Sequence, residues 1–278
     1  MVQFRNLALR DRPFVIKRSM SERKLEIKLP PKKYSLPIEI FARIWALWAL
    51  IIFVATLLVV FIPILLTFLI PEPKGVKTFK AISKVWMDIF LFLIGCPVKL
   101  IGKENYNPAL NYVVTSNHNS LMDVPVMTPY FPGPNKTIAK KSFAKVPIFG
   151  WVYTRGSVLV DRSSDFSRKK SFDDMKKVLL QENLNMALYP EGTRNRTGKP
   201  LKSFYDGAFK LAADCERDII PVIMVNTANA LPPGKIFFLL PYRLQIHLLP
   251  PVSHVGKTAK EIKEEVFQTM WGYIEKTK

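Results

Sequence analysis

Cysteine, histidine and acidic side chains are what this chain is short of. It has two cysteines, Cys96 and Cys215, in 278 residues. Two cannot build a disulfide framework or a four-cysteine zinc site. Three histidines leave the routine Cys/His metal sites almost without ligands, so no metal is expected. Only 22 Asp and Glu stand against 41 Lys and Arg, which leaves a net charge of +19. An excess of that size faces an anionic partner or surface. Repeats and low-complexity linkers are absent too, and with 49% hydrophobic residues the chain is neither disordered nor collagen-like. Helix-turn-helix, finger and RNP-type patterns are missing, which turns the expectation away from nucleic acid and towards anionic lipid.

What is present begins with an apolar run. Ile44 to Ile70 contains 27 residues without one charge. As a helix it is about 40 Å long, enough for a bilayer core of about 30 Å with some tilt. Pro63 interrupts it and predicts a kink or a turn back. The run starts too far into the chain, and is too long, for a signal peptide. A second patch at 85–98 is too short to span and reads as interfacial, re-entrant or buried. Residues 1–43 carry 11 basic and 4 acidic residues, a net +7, and Lys74, Lys77, Lys80 and Lys84 follow the run. A single crossing cannot keep both basic flanks inside. The reading is therefore a helical hairpin, 44–70 out and roughly 80–98 back, or a shallow re-entrant anchor. That divides the chain into a basic segment (1–43), a membrane anchor (44–98) and a third region (99–278).

The third region alternates short apolar runs with helical patterns. Strands are expected at 111–116, 137–139, 156–161, 184–189, 219–225 and 244–249. Helices are expected at 167–182, with Ser167 as cap, around 204–215, and at 260–275. Strands that are apolar throughout, separated by helices, point to an α/β fold: a mostly parallel or mixed central sheet flanked by helices. Sites in such sheets lie beyond the carboxyl ends of the strands.

Three polar clusters follow strands directly. In the first, Asn117 to Asp123, His118 has the chemistry of a general base. Asp123 could fold back to fix its tautomer; the alternative is a histidine that caps a turn. The second, Tyr189 to Arg194, sets Glu191, Gly192 and Thr193 beside Arg194, whose guanidinium suits a phosphate. Glu191 would hold that arginine or bind a substrate hydroxyl; a surface turn with an ion pair is the alternative. The third places Arg155 before a strand and Arg162 after it, downstream of Lys140, Lys141 and Lys145. One or two of these basic groups would grip phosphate while the others meet solvent or lipid.

Together these blocks resemble the glycerolipid acyltransferases, specifically the 1-acylglycerol-3-phosphate (lysophosphatidic acid) acyltransferase group. His118 and Asp123 match the family's His-four residues-Asp block. Gly156 to Arg162 matches the second block loosely, with Leu159 where phenylalanine and Val160 where isoleucine is commoner. Pro190 to Arg194 matches Pro-Glu-Gly-Thr-Arg throughout, and Ile220-Pro221-Val222 matches the fourth block. Residues 139–151 resemble the Lys-containing lead-in to the second block, and the likeness covers about residues 85–250. It implies His118 as base oriented by Asp123. It implies acceptor phosphate binding by Arg162, Glu191, Gly192, Thr193 and Arg194, with Lys140 and Arg155 as neighbouring basic groups. It implies a part for Pro221 in the acyl or acceptor pocket. It further implies acyl-CoA or acyl carrier protein as donor, no cofactor, and a membrane location with the site facing the cytoplasm, as at a bacterial inner membrane or its equivalent. The oxyanion would be met by a backbone N–H near 192–194 or 119–121.

Overall fold

The computed structural model describes residues 32–161 and 164–277. The basic residues before position 32, and Arg162, lie outside the described residues.

The apolar run becomes helix α1 (Leu36–Leu66), and Pro63 falls inside its last turn, so it does not divide the helix. A short 3-10 turn and residues 70–73 reverse the chain into α2 (Lys74–Leu93). The two helices pack against each other. The hairpin is thus 36–66 and 74–93, shifted from the expected bounds. On α1, Ala42, Ala46, Ala49, Leu57 and Ile64 are buried. Their spacing of three, four, seven or eight residues makes one seam, and the alanines let the backbones approach. Three indole N–H groups stitch the pair. Trp45 and Trp48 donate to the carbonyls of Ile94 and Leu93 (3.0 and 3.1 Å), which α2 leaves open at its C-terminus. Trp86 donates to Thr56 Oγ1 (2.9 Å).

Outside the seam α1 is bare: Ile44, Ile51, Leu58, Val59 and Ile62 all stand exposed. It is the one helix among the described residues long and apolar enough to cross a membrane. The second patch resolves differently. α2 buries Val76, Phe79, Trp86, Met87, Phe90 and Leu91 against the body, exposes Lys74 and Lys77 in its first turn, and leaves Val85, Ile89 and Phe92 of the second patch exposed.

The body is one seven-stranded sheet. Its strands are β1 (Val98–Ile101), β2 (Val113–Ser116), β3 (Asn135–Lys140), β4 (Ser157–Val160), β5 (Asn185–Leu188), β6 (Ile219–Val225) and β7 (Leu244–Leu248). Their order is β1-β7-β6-β2-β5-β3-β4. All neighbours are parallel except β6 and β7. The sheet is mixed α/β, as the apolar strand pattern predicts. β2, β5 and most of β6 are buried on both faces. One face is covered by α1, α2 and α3 (Asp123–Tyr130), with α4 (Phe149–Arg155) leading into β4. The other face carries α5 (Asp165–Leu180), α6 (Gly207–Cys215) and α8 (Ala259–Lys276); α7 (Thr227–Ala230) is a single turn. Helix α5 starts earlier than expected. Ser164 is its cap, accepting from Ser167 N–H, while Ser167 Oγ accepts from Asp161 N–H.

Candidate active site

Adjacent strands set the site. β2 and β5 are paired, with Thr115 opposite Leu188, so the chain leaves both strands side by side at the carboxyl edge. Asn117-His118 follows one and Tyr189 to Glu191 the other. β6 lies on the far side of β2. There Asn117 clamps the strand end, donating from Nδ2 to Met224 O (3.1 Å) and accepting from Met224 N–H (2.7 Å).

His118 is fixed through ring and backbone. Its Nδ1 lies 2.8 Å from Asp123 Oδ2. That oxygen also accepts the N–H groups of Asn119 (2.7 Å) and Ser120 (2.8 Å). An oxygen already accepting two donors faces Nδ1 as an acceptor, so Nδ1 carries the hydrogen and Nε2 keeps its lone pair. Asp123 is the first residue of α3 and wholly buried, where a carboxylate meets the positive end of a helix. The sequence gap of five is bridged by the turn 118–122. Ser120 Oγ closes that turn, donating to Leu231 O (2.7 Å) and accepting from Met122 N–H (3.1 Å). The imidazole stacks on Tyr189, centroids 4.4 Å apart at 28°. Its side chain keeps 17% of its surface exposed, enough for a reacting group to approach.

Glu191 does something the sequence does not announce. It is fully buried, and its two oxygens accept the N–H groups of His118 (2.8 Å) and Lys202 (3.0 Å). Burial outweighs these donors and pushes its carboxyl up to about 8. A fully buried carboxyl bound to two backbone N–H groups meets neither phosphate nor guanidinium, so its expected place among the substrate-binding groups is corrected to one of holding His118. Asn195 N–H donates to His118 O (2.6 Å) from the other side.

The remaining expected residues separate. Gly192 adopts φ +72°, and a Cβ there would meet the Tyr205 ring at 2.7 Å. Thr193 is exposed and its Oγ1 accepts from Lys202 Nζ (2.9 Å). Arg194 is half-buried with Arg196 near it; burial first, then Arg196, lowers its guanidinium pKa. Among the described residues its side chain has no hydrogen-bonding partner, which leaves its fork for an anion. Lys140 stands exposed at the carboxyl end of β3.

Arg155 is corrected. Its guanidinium is buried at the opposite edge of the sheet, donating to Thr67 Oγ1 and Thr67 O (3.0 Å each) and to Glu72. It fastens the hairpin tip to α4, with all three nitrogens engaged in a buried site away from His118, so it does not grip phosphate. Pro221 is buried inside the sheet opposite Thr115, three residues short of the level of His118. Its missing N–H falls where Pro250-Pro251 interrupts pairing, between the Leu249–Pro221 and Val252–Ile219 hydrogen bonds. The oxyanion donors narrow as well: the N–H groups of Asn119 and Ser120 are used by Asp123, and that of Gly192 donates to Tyr189 O (3.0 Å).

Asn117 and Tyr189 stood in the expected clusters without a role of their own, and Asn195 and Arg196 lay beyond them. Asn117 and Tyr189 had a signal, since each directly follows or ends a strand that leads into a polar cluster.

Residues 97–225 match the family model described as Acyltransferase. The chain is 31% identical over 172 residues to 1-acyl-sn-glycerol-3-phosphate acyltransferase alpha of Mus musculus, covering 62% of this chain and 60% of that one. It is 28% identical over 200 residues to 1-acyl-sn-glycerol-3-phosphate acyltransferase of Saccharomyces cerevisiae, covering 68% and 64%. The chain therefore spans somewhat under two thirds of the length of these relatives. The crystal structure of the 1-acyl-sn-glycerophosphate (LPA) acyltransferase PlsC from Thermotoga maritima shares the fold, with a TM-score of 0.73 over 86% of this chain and 96% of that one at 22% identity.

Proposed function

Residues 97–225 carry an acyltransferase-family domain, and from that premise we propose that the chain moves a fatty acyl group from a thioester donor to the free sn-2 hydroxyl of 1-acyl-sn-glycerol 3-phosphate. The product is phosphatidic acid. The observation that carries the reading is the His118–Asp123 pair, held at 2.8 Å with Nε2 left basic. The names of the relatives support the choice of acceptor.

In this reading the acceptor hydroxyl oxygen attacks the thioester carbonyl carbon while Nε2 of His118 takes its proton. The imidazolium is stabilised by Asp123. Charge that gathers on the carbonyl oxygen is met by the backbone N–H groups of Thr193 or Arg194, beside the ones already used. The carbon–sulfur bond then breaks, and His118 returns the proton to the departing thiolate. Arg194, with Arg196 near it and Lys140 at the end of the neighbouring strand β3, receives the acceptor phosphate. The family resemblance would add Arg162, which lies outside the described residues. The donor is acyl-CoA or acyl carrier protein.

The bare face of α1 supports a membrane setting. About 30 Å of apolar helix surface left in water would be costly, and a lipid-embedded acceptor needs the site at the bilayer. The site would then face the cytoplasm. The test uses purified protein in mixed micelles with a panel of lysolipids and both thioester carriers. Thiol release that depends on 1-acylglycerol 3-phosphate supports the reading; release that ignores the acceptor, or needs a lysolipid without phosphate, overturns it.

A further inference from the structure

The segment between β3 and α4 is exposed, apolar and basic at once. Phe143, Val146, Ile148 and Trp151 are exposed large hydrophobics, and Trp151 is 59% exposed. Lys141 and Lys145 stand exposed among them, unpaired with any acid among the described residues. No Asp or Glu occurs between Asp123 and Asp161.

The turn that shapes this segment is strained. Ile148 has φ +61° and ψ −61°, and Phe149 N–H donates to Pro147 O at 2.6 Å. That is a γ-turn of the positive-φ hand, which a β-branched residue rarely adopts. Gly150 lets it close, because a Cβ there would lie 2.2 Å from Ala144 O. The turn drives Ile148 outward while Phe149 beside it packs against Phe53 and the core. It is the kind of distortion that persists where a surface has work to do.

The patch also continues into the 3-10 turn (Thr67–Leu69) that follows α1. Phe68 packs edge-on against Trp151 with centroids 6.1 Å apart, and Leu69 beside it is 81% exposed. The segment starts where β3 ends, on the edge that carries His118. We propose that residues 143–151 are a second lipid-contacting element, which sets its apolar side chains into the outer boundary of an anionic bilayer beside the active site. Lys141 and Lys145 meet the headgroups while their stems lie along lipid. Two contacts, α1 and this turn, fix the orientation of the His118 edge, where α1 alone leaves the body free to swing. The inference rests on the membrane reading above and extends it.

Its test places a single environment-sensitive fluorophore at Ile148→Cys, with Val59→Cys on α1 and Val255→Cys as references. Val255 is exposed in the loop that follows the Val252–Ile219 bridge, at the other edge of the sheet. The unaltered chain, with both cysteines buried, gives the labelling background. The protein is reconstituted in phosphatidylcholine–phosphatidylglycerol vesicles containing a lipid quencher near the headgroup end of the acyl chain. Quenching at 148 at least about threefold that at 255 is expected for a segment at the interface. Quenching at 59 with none at 148 overturns the second contact and leaves the anchor standing. Absence of quenching at both 59 and 148 overturns the membrane reading with it. The double variant Ile148→Asp/Trp151→Asp should lose about tenfold in turnover on long-chain acceptor in vesicles and little on a short-chain soluble acceptor. Equal losses on both would also refute an orienting role.

Discussion

Asp123→Asn tests the reasoning about the base more sharply than removing the base does. The substitution keeps size and shape but replaces a carboxylate oxygen with an amide N–H₂. Asp123 Oδ2 accepts three donors at 2.7 to 2.8 Å. If the amide oxygen takes that position, the N–H₂ replaces Oδ1, which is buried without a partner among the described residues. Stability then falls by about 1–3 kcal/mol for unsatisfied donors. The imidazolium also loses its carboxylate. A hydrogen bond to a charged group contributes about 1.5–3 kcal/mol, so turnover falls roughly 10- to 150-fold. If the N–H₂ faces Nδ1 instead, the tautomer inverts, Nε2 carries the hydrogen, and the loss approaches about 10⁴-fold, as in other enzymes with this pairing. The assay is acceptor-dependent thiol release by the variant in micelles, with acceptor KM and a thermal unfolding curve measured in parallel. The expected result is a turnover lower by about 10- to 10⁴-fold, with acceptor KM within about threefold. A folded variant within about fivefold of the parent turnover would refute the orienting role.

The other predictions concern the charged groups around that pair. Arg194→Ala should raise acceptor KM about 10- to 100-fold for phosphate-bearing lysolipids, the value of a charge-assisted contact; an unchanged KM and turnover would remove it from the acceptor site. Arg155→Ala should instead lower stability by about 3 kcal/mol by leaving Glu72, itself a quarter exposed, without its guanidinium; denaturant unfolding checks this, with acceptor KM unchanged. Glu191 has its folded pKa raised to about 8, above the ordinary 4.5. A raised acid favours the folded state fully below 4.5 and loses that contribution as pH rises towards 8. Unfolding free energy should therefore decline across that window, and Glu191→Gln should flatten the decline; an identical slope in parent and variant would contradict it.

Much of this arrangement can be read in the sequence. Uninterrupted apolar runs such as 219–225 are buried on both faces of a mainly parallel sheet, so their composition alone marks them. His118 and Asp123 are close in the chain, and one tight turn joins them. What escapes is set by long-range geometry. Nothing local says that β2 pairs with β5, yet that pairing brings Glu191 to the backbone of His118. Arg155 and Arg194 look alike as basic residues near a strand. Only the packed structure shows that one is consumed by Thr67 and Glu72 at the far edge of the sheet while the other stays open beside the histidine. Short β1 and the helices α3 and α4 also escape, because four to eight residues carry too little periodicity.

The central claim is that His118 removes the acceptor proton. The most direct measurement is acyl transfer to 1-acylglycerol 3-phosphate by His118→Ala, in the same vesicles and at the same bound protein as the parent. The account predicts loss of transfer while vesicle association and the unfolding curve stay as they were. Transfer at a near-parental rate would contradict it.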